Sequence, residues 1–150
     1  MGGGRARTDR KNTSSGGNLI GRSDTKYDKR GRVYRRLAYA VNPGSGAVGN
    51  ALTENNWYDP ASNPIKQIAA GAGIVFSKTA FNGVGWVTAS YTGFNTTNDW
   101  TTANSLSGDT IVEQAENAYD EAGNVLSQAG YQRLNGASGT GALTTSNARG

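Results

Sequence analysis

Short stretches of this chain alternate between apolar and polar residues, which is the periodicity of a half-buried β-strand. In RVYRRLAYAV, residues 32–41, the side chains of Val33, Leu37 and Val41 fall on one face. Such alternating stretches recur through most of the chain, so it is predicted to be all-β. Similar stretches predict further strands at residues 51–59, 63–81 (two strands joined at 70–73), 85–94 and 124–134.

A short motif recurs among these predicted strands. It reads YDKRGRVYRR at residues 27–36, YDPASNPIKQ at residues 58–67 and YDEAGNVLSQ at residues 119–128. A blurred copy, FNGVGWVTAS, occupies residues 81–90. The intervals between copies vary while the motif is kept, as expected when insertions fall in the loops on one face of a repeat protein.

Each position of the motif has a mechanical role in a β-hairpin. The aromatic residue ends the incoming strand, where a large ring suits a pleated, half-buried surface. Asp begins the turn because its carboxylate accepts backbone N–H bonds, and Gly supplies the positive φ that closes a short hairpin with a bulge. One hairpin is unstable alone, but stacked hairpins cover each other's apolar faces. The residues predicted to carry this structural role are Tyr27, Asp28, Gly31, Tyr58, Asp59, Phe81, Gly85, Tyr119, Asp120 and Gly123.

These copies resemble the YD repeats of bacterial Rhs proteins, whose pattern is Tyr-Asp, a pair of variable residues, Gly, Arg or Asn, and then a strand. The resemblance extends over residues 26–134. It implies stacked β-hairpin repeats, in a β-spiral or partial shell, with a non-catalytic role as a scaffold or shell segment or as a cell-surface interaction module. It also implies an extracellular or cell-surface location, an association with toxins, and further repeats of a longer array or a neighbouring protein as partners.

Several positions depart from that pattern. Ser62 stands where Gly is expected, and a non-glycine residue with positive φ costs about 1 kcal/mol or more. Pro64 stands at the first position of a predicted strand, which tolerates proline. Phe81-Asn82 replaces Tyr-Asp, and Trp86 replaces the Arg of the family pattern. The chain is therefore expected to be a piece of a longer array or a small degenerate array.

Residues 110–123, TIVEQAENAYDEAG, admit two interpretations. Thr110 and Glu113 form a capping-box pattern and Gly123 is a suitable helix stop, which favours a helix. The Tyr-Asp pair within the segment instead matches the other copies of the motif, which precede strand-like segments. The repeat favours a hairpin here over a helix.

Positive charge is concentrated at one end of the chain. The net charge is +4, yet residues 1–36 hold eleven Lys and Arg and only three Asp. Residues 1–24 have almost no apolar content and are predicted to be a disordered basic segment. The repeats are predicted over residues 25–134, and a loop-like tail or the start of a further repeat over residues 135–150. The basic segment is a candidate for binding a polyanion, but no aromatic residue interleaves its charges, which disfavours nucleic acid.

Carbohydrate binding by aromatic side chains is the other candidate binding function. Packing in the core of a fold poor in apolar residues is the competing interpretation of the same side chains, since only 35% of the chain is hydrophobic. The aromatic residues concerned are Trp57, Tyr58, Trp86, Tyr91 and Trp100.

Composition removes most catalytic chemistry. The chain has no Cys and no His, which excludes disulfides, Cys-based zinc sites and Ser-His or Cys-His nucleophile systems. GSGAVG, residues 44–49, matches a dinucleotide-binding glycine pattern, but Pro60 and a new turn follow where a helix is needed. Glu113 and Glu116 would face opposite sides of a strand, although a glycosidase needs two carboxylates that flank one cleft. Neither an enzyme activity nor a cofactor or metal site is therefore expected.

Membrane and export signals are also missing from the pattern. No apolar run approaches the ~18 residues of a membrane span, so membrane insertion is not expected. The first residues carry charge without an apolar stretch, so no signal peptide is expected in this chain.

Overall fold

A computed structural model describes residues 3–12, 16–96, 101–132 and 142–148, with side chains described as far as residue 132. These residues form strands and turns, which confirms the all-β prediction. None of them belongs to a helix long and apolar enough to cross a lipid bilayer. The strands are β1 (Arg5–Lys11), β2 (Leu19–Tyr27), β3 (Val33–Val41), β4 (Val48–Tyr58), β5 (Pro64–Ile68), β6 (Val75–Phe81), β7 (Val87–Phe94), β8 (Thr110–Tyr119), β9 (Val125–Gln132) and β10 (Ala142–Ala148).

Within each of two compact units, the strands pair in the order in which they occur along the chain. The chain divides into two compact units, a first unit of Met1–Asn56 with Ala69–Gly73 and a second unit of Trp57–Ile68 with Ile74–Gly150. Pairing is antiparallel from β1 to β4 in the first unit and from β5 to β10 in the second. Because successive strands run in opposite directions, every second connection of such a meander lies at the same end of its strands.

The predicted hairpins are found where the motif places them. β5 and β6 are the two strands expected within residues 63–81, and the turn between them includes residues 70–73. β8 ends at Tyr119 and β9 begins at Val125, so residues 110–123 form a strand and a turn. The hairpin interpretation of this segment is confirmed, and the helical one is wrong.

The first 24 residues differ from the disordered segment predicted there, because β1 and most of β2 lie within them. Strand pairing brings opposite charges together across this hairpin. Asp9 lies opposite Arg22 and accepts two hydrogen bonds from its guanidinium, at 2.7 and 2.9 Å. Asp24 lies opposite Arg7 and accepts a hydrogen bond from its Nε at 3.0 Å. Charge pairs of this kind hold a hairpin that has little apolar surface to bury.

The segment 135–150, predicted to be a loop-like tail or the start of a further repeat, contains a strand. β10 pairs with β9 over residues 142–148, with an irregular register between Leu143 and Thr145. Residues 133–141 and 149–150 lie outside the described residues.

The core of the second unit is small and contains charged side chains. Phe76 is 2% exposed, yet Lys66 and Lys78 are buried beside it at 1% and 3%. Lys66 and Lys78 lie directly opposite each other on β5 and β6, so both project from the face that carries Phe76. Their methylene stems therefore supply part of the packed interior that apolar residues would fill in a richer core. The buried hydrophobic side chains of this unit are Trp57, Ile68, Phe76, Ala89, Ala103 and Ile111.

Candidate functional site

One turn geometry closes the hairpins at residues 28–32, 59–63, 82–86 and 120–124. In each turn, the N–H of the first residue donates to the carbonyl oxygen of the fifth. The N–H of the fourth residue donates back to the carbonyl oxygen of the first, and all of these N···O distances are 2.9–3.1 Å. The three turns of the second unit belong to alternate hairpins, so they lie at the same end of its strands.

The first side chain of each turn accepts the backbone N–H groups that the turn leaves open. Asp120 Oδ1 accepts from the N–H groups of Ala122 and Asn124 at 2.9 and 2.8 Å. Asn82 Oδ1 accepts from the N–H groups of Val84 and Trp86 at 3.2 and 2.9 Å. These are the hydrogen bonds expected of the first turn residue, and the amide oxygen of Asn82 accepts them as the carboxylate of Asp120 does.

The side chain of the fifth residue also bonds to the first residue of the turn in the copies that carry Arg or Asn there. This side chain donates a hydrogen bond to the second carboxylate oxygen of the first turn residue. Asn124 Nδ2, for example, donates to Asp120 Oδ2 at 2.7 Å. Arg32 Nε makes the same bond to Asp28, also at 2.7 Å. The amide of Asn124, followed by backbone N–H groups, lowers the pKa of Asp120 below its ordinary value. Both oxygens of these carboxylates are thus occupied within the turn.

The fourth residue of the turn takes positive φ in every copy. φ is 78° at Gly31, 90° at Gly85 and 89° at Gly123. Ser62 adopts 76° in the second copy and is the only described non-glycine residue with positive φ. The turn geometry imposes this conformation on a side chain that resists it, at a cost of about 1 kcal/mol or more.

The aromatic residue that precedes three of the four turns lies at a β-bulge. The register shifts just before Tyr27, Phe81 and Tyr119, each the last residue of its strand. The Tyr119 hydroxyl donates to the carbonyl oxygen of Val87 at 2.8 Å. The Tyr119 ring lies 5.3 Å from the ring of Trp86, centroid to centroid. Trp86, the fifth residue of its turn, thereby contacts the next copy of the motif.

Substitution of Asn82 tests the shared turn chemistry. We expect Asn82→Ala to lower the free energy of unfolding by about 1–2 kcal/mol, because two backbone N–H groups lose their acceptor. Asn82→Asp should leave stability close to that of the wild type, since Asp occupies this position in the other three turns. Urea unfolding of both variants followed by tryptophan fluorescence is the measurement. Equal losses in the two variants would contradict the assigned role.

The loop between β7 and β8 is fastened to the second unit by a buried lysine. Lys78 Nζ donates to the backbone carbonyls of Thr102 and Ser105 at 2.8 and 2.5 Å, and to Asp109 Oδ2 at 2.5 Å. The Asp109 side chain is fully buried, and Asn95 Nδ2 donates to its other oxygen at 2.7 Å. The loop thus lies over the sheet face, held by an ammonium group that has three oxygen partners.

A cavity of about 350 Å³ lies beside this loop in the second unit. Asp59 and Lys78 are its charged lining residues, and Tyr91, Ala103 and Leu106 supply much of the wall. Asp59 accepts turn hydrogen bonds from Asn63 and Lys78 holds the loop. Both charged groups that line the cavity therefore make hydrogen bonds that stabilise the fold.

The first unit holds a buried carboxylate in a basic setting. Asp24 is 1% exposed, and it accepts hydrogen bonds from Arg5 and Arg7 at 2.5 and 3.0 Å and from the Tyr39 hydroxyl at 2.9 Å. These donors, Arg7 first, outweigh desolvation and hold the pKa of Asp24 far below its ordinary value. The same contact raises the pKa of Tyr39, because an adjacent carboxylate opposes phenolate formation.

Asp24 should make the first unit sensitive to acid. A carboxylate with a lowered folded-state pKa stabilises the fold above its unfolded pKa of about 3.9, and that stability is lost as the pH falls through the folded value. We expect the melting temperature to fall as the pH drops below about 4, and the fall to be shallower in Asp24→Asn. Thermal melts between neutral and strongly acidic pH measure this. Parallel curves for the two proteins would contradict the assignment.

Other candidates from the sequence have the following places in the described residues. Residues 44–49 lie in the β3–β4 connection and the start of β4, with no helix after them. Trp57 is 7% exposed and packs in the core, Trp86 packs on Tyr119, and Trp100 lies outside the described residues. Among the residues that the structure describes, no cluster of three or more acidic, His or Cys side chains could hold a metal ion.

Sequence reasoning missed Lys66, Lys78 and Asp109. One signal for the lysines is present in the pattern: Lys66 shares the parity of buried Ile68, and Lys78 that of buried Phe76. A lysine on the apolar face of a strand indicates a buried ammonium that needs a partner. The partner of Lys78, Asp109, is 31 residues away along the chain and leaves no local signal.

A scan against protein-family models finds no match to the chain, and no curated protein matches it at a significant level.

Proposed function

We propose that this chain is a non-catalytic structural repeat module of the Rhs/YD type, which acts as a segment of a scaffold or shell or as a cell-surface interaction module. The observation that carries the proposal is the recurrence of one turn, with the same backbone hydrogen bonds, at residues 28–32, 59–63, 82–86 and 120–124. The motif's side-chain groups are consumed by these turns. A scaffold needs the same turn geometry in each repeat, with the polar groups of the turn hydrogen-bonded within it.

Chemistry at the motif carboxylates would need a group that can exchange protons or bind a ligand. Asp28 and Asp120 each use both oxygens within their turns. The pKa of Asp120 is lowered, so this carboxylate stays ionised well below neutral pH. A general acid or base near neutral pH needs the opposite shift. These features support a structural role for the motif.

The outer strands supply the means of extension. Among the described strands, β1 pairs only with β2, and β10 pairs only with β9. An outer strand presents a row of backbone donors and acceptors that another strand can pair with. In the proposed array, neighbouring repeats would pair there, so each module would be stabilised by the next.

A tandem fusion of two full-length copies tests the proposal. We expect the fusion to melt cooperatively and at a higher temperature than the single chain, because nearest-neighbour contacts add stability in a repeat array. The single chain, at a concentration that gives the same number of copies as the fusion, is the control for association between separate chains. A fusion that melts at the temperature of the single chain would show two independent domains and would overturn the array.

A further inference from the structure

Strand pairing in the first unit places three cations side by side. Arg5 on β1 lies opposite Lys26 on β2, and Lys26 lies opposite Arg35 on β3. Asn55 on β4 continues the row. Neighbouring strands of a sheet are about 4.8 Å apart, so the cationic side chains arise at that spacing along a line across the strands. We call Arg5, Lys26 and Arg35 the cationic row.

The charges of the cationic row are only partly balanced within the chain. Arg5 donates to Asp24, but that carboxylate also serves Arg7 and the Tyr39 hydroxyl. Arg35 Nε donates to the neutral amide oxygen of Asn55 at 2.7 Å. Within the described part of the chain, no acidic side chain forms an ion pair with Lys26 or Arg35. Alternation along the strands puts Arg5, Arg7, Arg22, Lys26 and Arg35 on this face, with Asp9 and Asp24.

Like charges that lie directly opposite each other on neighbouring strands destabilise a sheet. The row therefore costs stability in the isolated chain, and an anion laid across it would turn that repulsion into attraction. Arg5 and Arg35 are both exposed, so their guanidinium groups are within reach of such an anion.

We propose that the cationic row binds a linear anionic polysaccharide. A straight row of evenly spaced cations fits a polymer whose acidic groups repeat at regular intervals, and Asn55 at its end can hydrogen-bond sugar hydroxyls. A single-stranded nucleic acid would need aromatic side chains on which its bases stack, and no position of the row is aromatic. The polymer crosses β1, β2 and β3 on the face that carries Lys26. This binding is independent of any extension of the array.

The probe for the first experiment is a fluorescent heparin oligosaccharide of defined length, used with the full chain. We expect binding at 50 mM NaCl whose affinity falls roughly 20- to 40-fold at 200 mM, as for about three ion pairs to a polyelectrolyte. An oligothymidylate with the same number of charges should bind more weakly. Absence of heparin binding at the lower salt, or tighter binding of the oligothymidylate, would overturn the proposal.

Two neighbouring arginines provide the matched control. Arg35 belongs to the row, whereas Arg36 projects from the opposite face of β3 and pairs with Glu54 at 2.7 Å. Arg35→Gln and Arg36→Gln remove the same charge from the same strand. We expect Arg35→Gln and Lys26→Gln to weaken heparin binding roughly fivefold and Arg36→Gln to change it less than twofold. Equal effects of Arg35→Gln and Arg36→Gln would show diffuse attraction to net charge and overturn the assigned row.

Thermal melts of the same variants report on the repulsion without any ligand. Lys26→Gln should melt at a higher temperature than the wild type, because the middle charge of the row is gone. Heparin should raise the melting temperature of the wild type more than that of Lys26→Gln. A melting temperature lowered by Lys26→Gln would show that the row stabilises the fold and would contradict the proposed cost.

Discussion

Replacing Asp109 with asparagine should lower the free energy of unfolding by about 3–5 kcal/mol, the largest effect that we expect from a single change in this chain. Lys78 is 3% exposed on its side chain and Asp109 is fully buried, so the pair is inaccessible to water. Removing the carboxylate charge leaves a buried ammonium with only neutral oxygen partners. An uncompensated charge in the interior costs far more than a broken ion pair at the surface.

A second substitution separates the charge from the shape of the site. Lys78→Met in the Asp109→Asn background removes the unpaired ammonium. Replacing both partners of a buried ion pair by uncharged groups often changes the free energy of unfolding little. We expect the double variant to recover most of the stability lost in Asp109→Asn. Glu121→Gln, at an exposed turn position, makes the same chemical change without burial and should have little effect. Urea unfolding at neutral pH measures all of these variants.

The outcome would decide what holds the β7–β8 loop. Lys78 also donates to the carbonyls of Thr102 and Ser105. If the ammonium loses its carboxylate partner, we expect it to leave this buried position and release the loop from the sheet. Amide hydrogen exchange should then rise in residues 101–109 in Asp109→Asn. A stability within about 1 kcal/mol of the wild type would show that the two carbonyls alone satisfy the ammonium, contrary to the large cost of burying an unpaired charge.

The hairpins could be predicted because their chemistry is local. Asp120 and Asn124 are four residues apart, and Gly123 lies between them, so one short window contains the whole turn. That window also decided between hairpin and helix for residues 110–123. The capping-box residues Thr110 and Glu113 instead lie in β8, opposite Phe94 and Thr92. Tertiary pairing overrides a local helix signal when a strong turn sets the register.

The charged clusters could not be predicted because their members are distant in sequence. Asp24 meets Arg5 across 19 residues and Tyr39 across 15, and only strand register brings them together. Composition showed that the first residues are basic, and low hydrophobicity then indicated disorder. The alternation of acids and bases across β1 and β2 offsets that tendency, but it becomes visible only once the pairing of Asp9 with Arg22 is known.

Gly123 should be much less tolerant of substitution than Gly85, which occupies the equivalent position in the turn at residues 82–86. The turn motif in the sequence predicts a cost of about 1–2 kcal/mol for a side chain at this position. The φ of 89° at Gly123 is in the region that disfavours L-residues. A Cβ atom on Gly123 would also lie 2.8 Å from Cζ2 of Trp86. The Trp86 ring packs against Tyr119, so it has little freedom to move away. Overpacking of this kind typically costs a further 1–3 kcal/mol, roughly.

Gly85 provides the matched control for this prediction. It occupies the same turn position with a φ of 90°, and its nearest contact to an added Cβ would be Asn63 Oδ1 at an ordinary 3.8 Å. We expect Gly85→Ala to cost about 1–2 kcal/mol and Gly123→Ala about 2–4 kcal/mol, measured by urea unfolding. Gly123→Ala in a Trp86→Phe background should approach the Gly85 value, since the smaller ring leaves room for the methyl group. Equal costs for the two single variants would mean that backbone strain alone sets the cost of substitution at this turn position and that the Trp86 ring does not add to it.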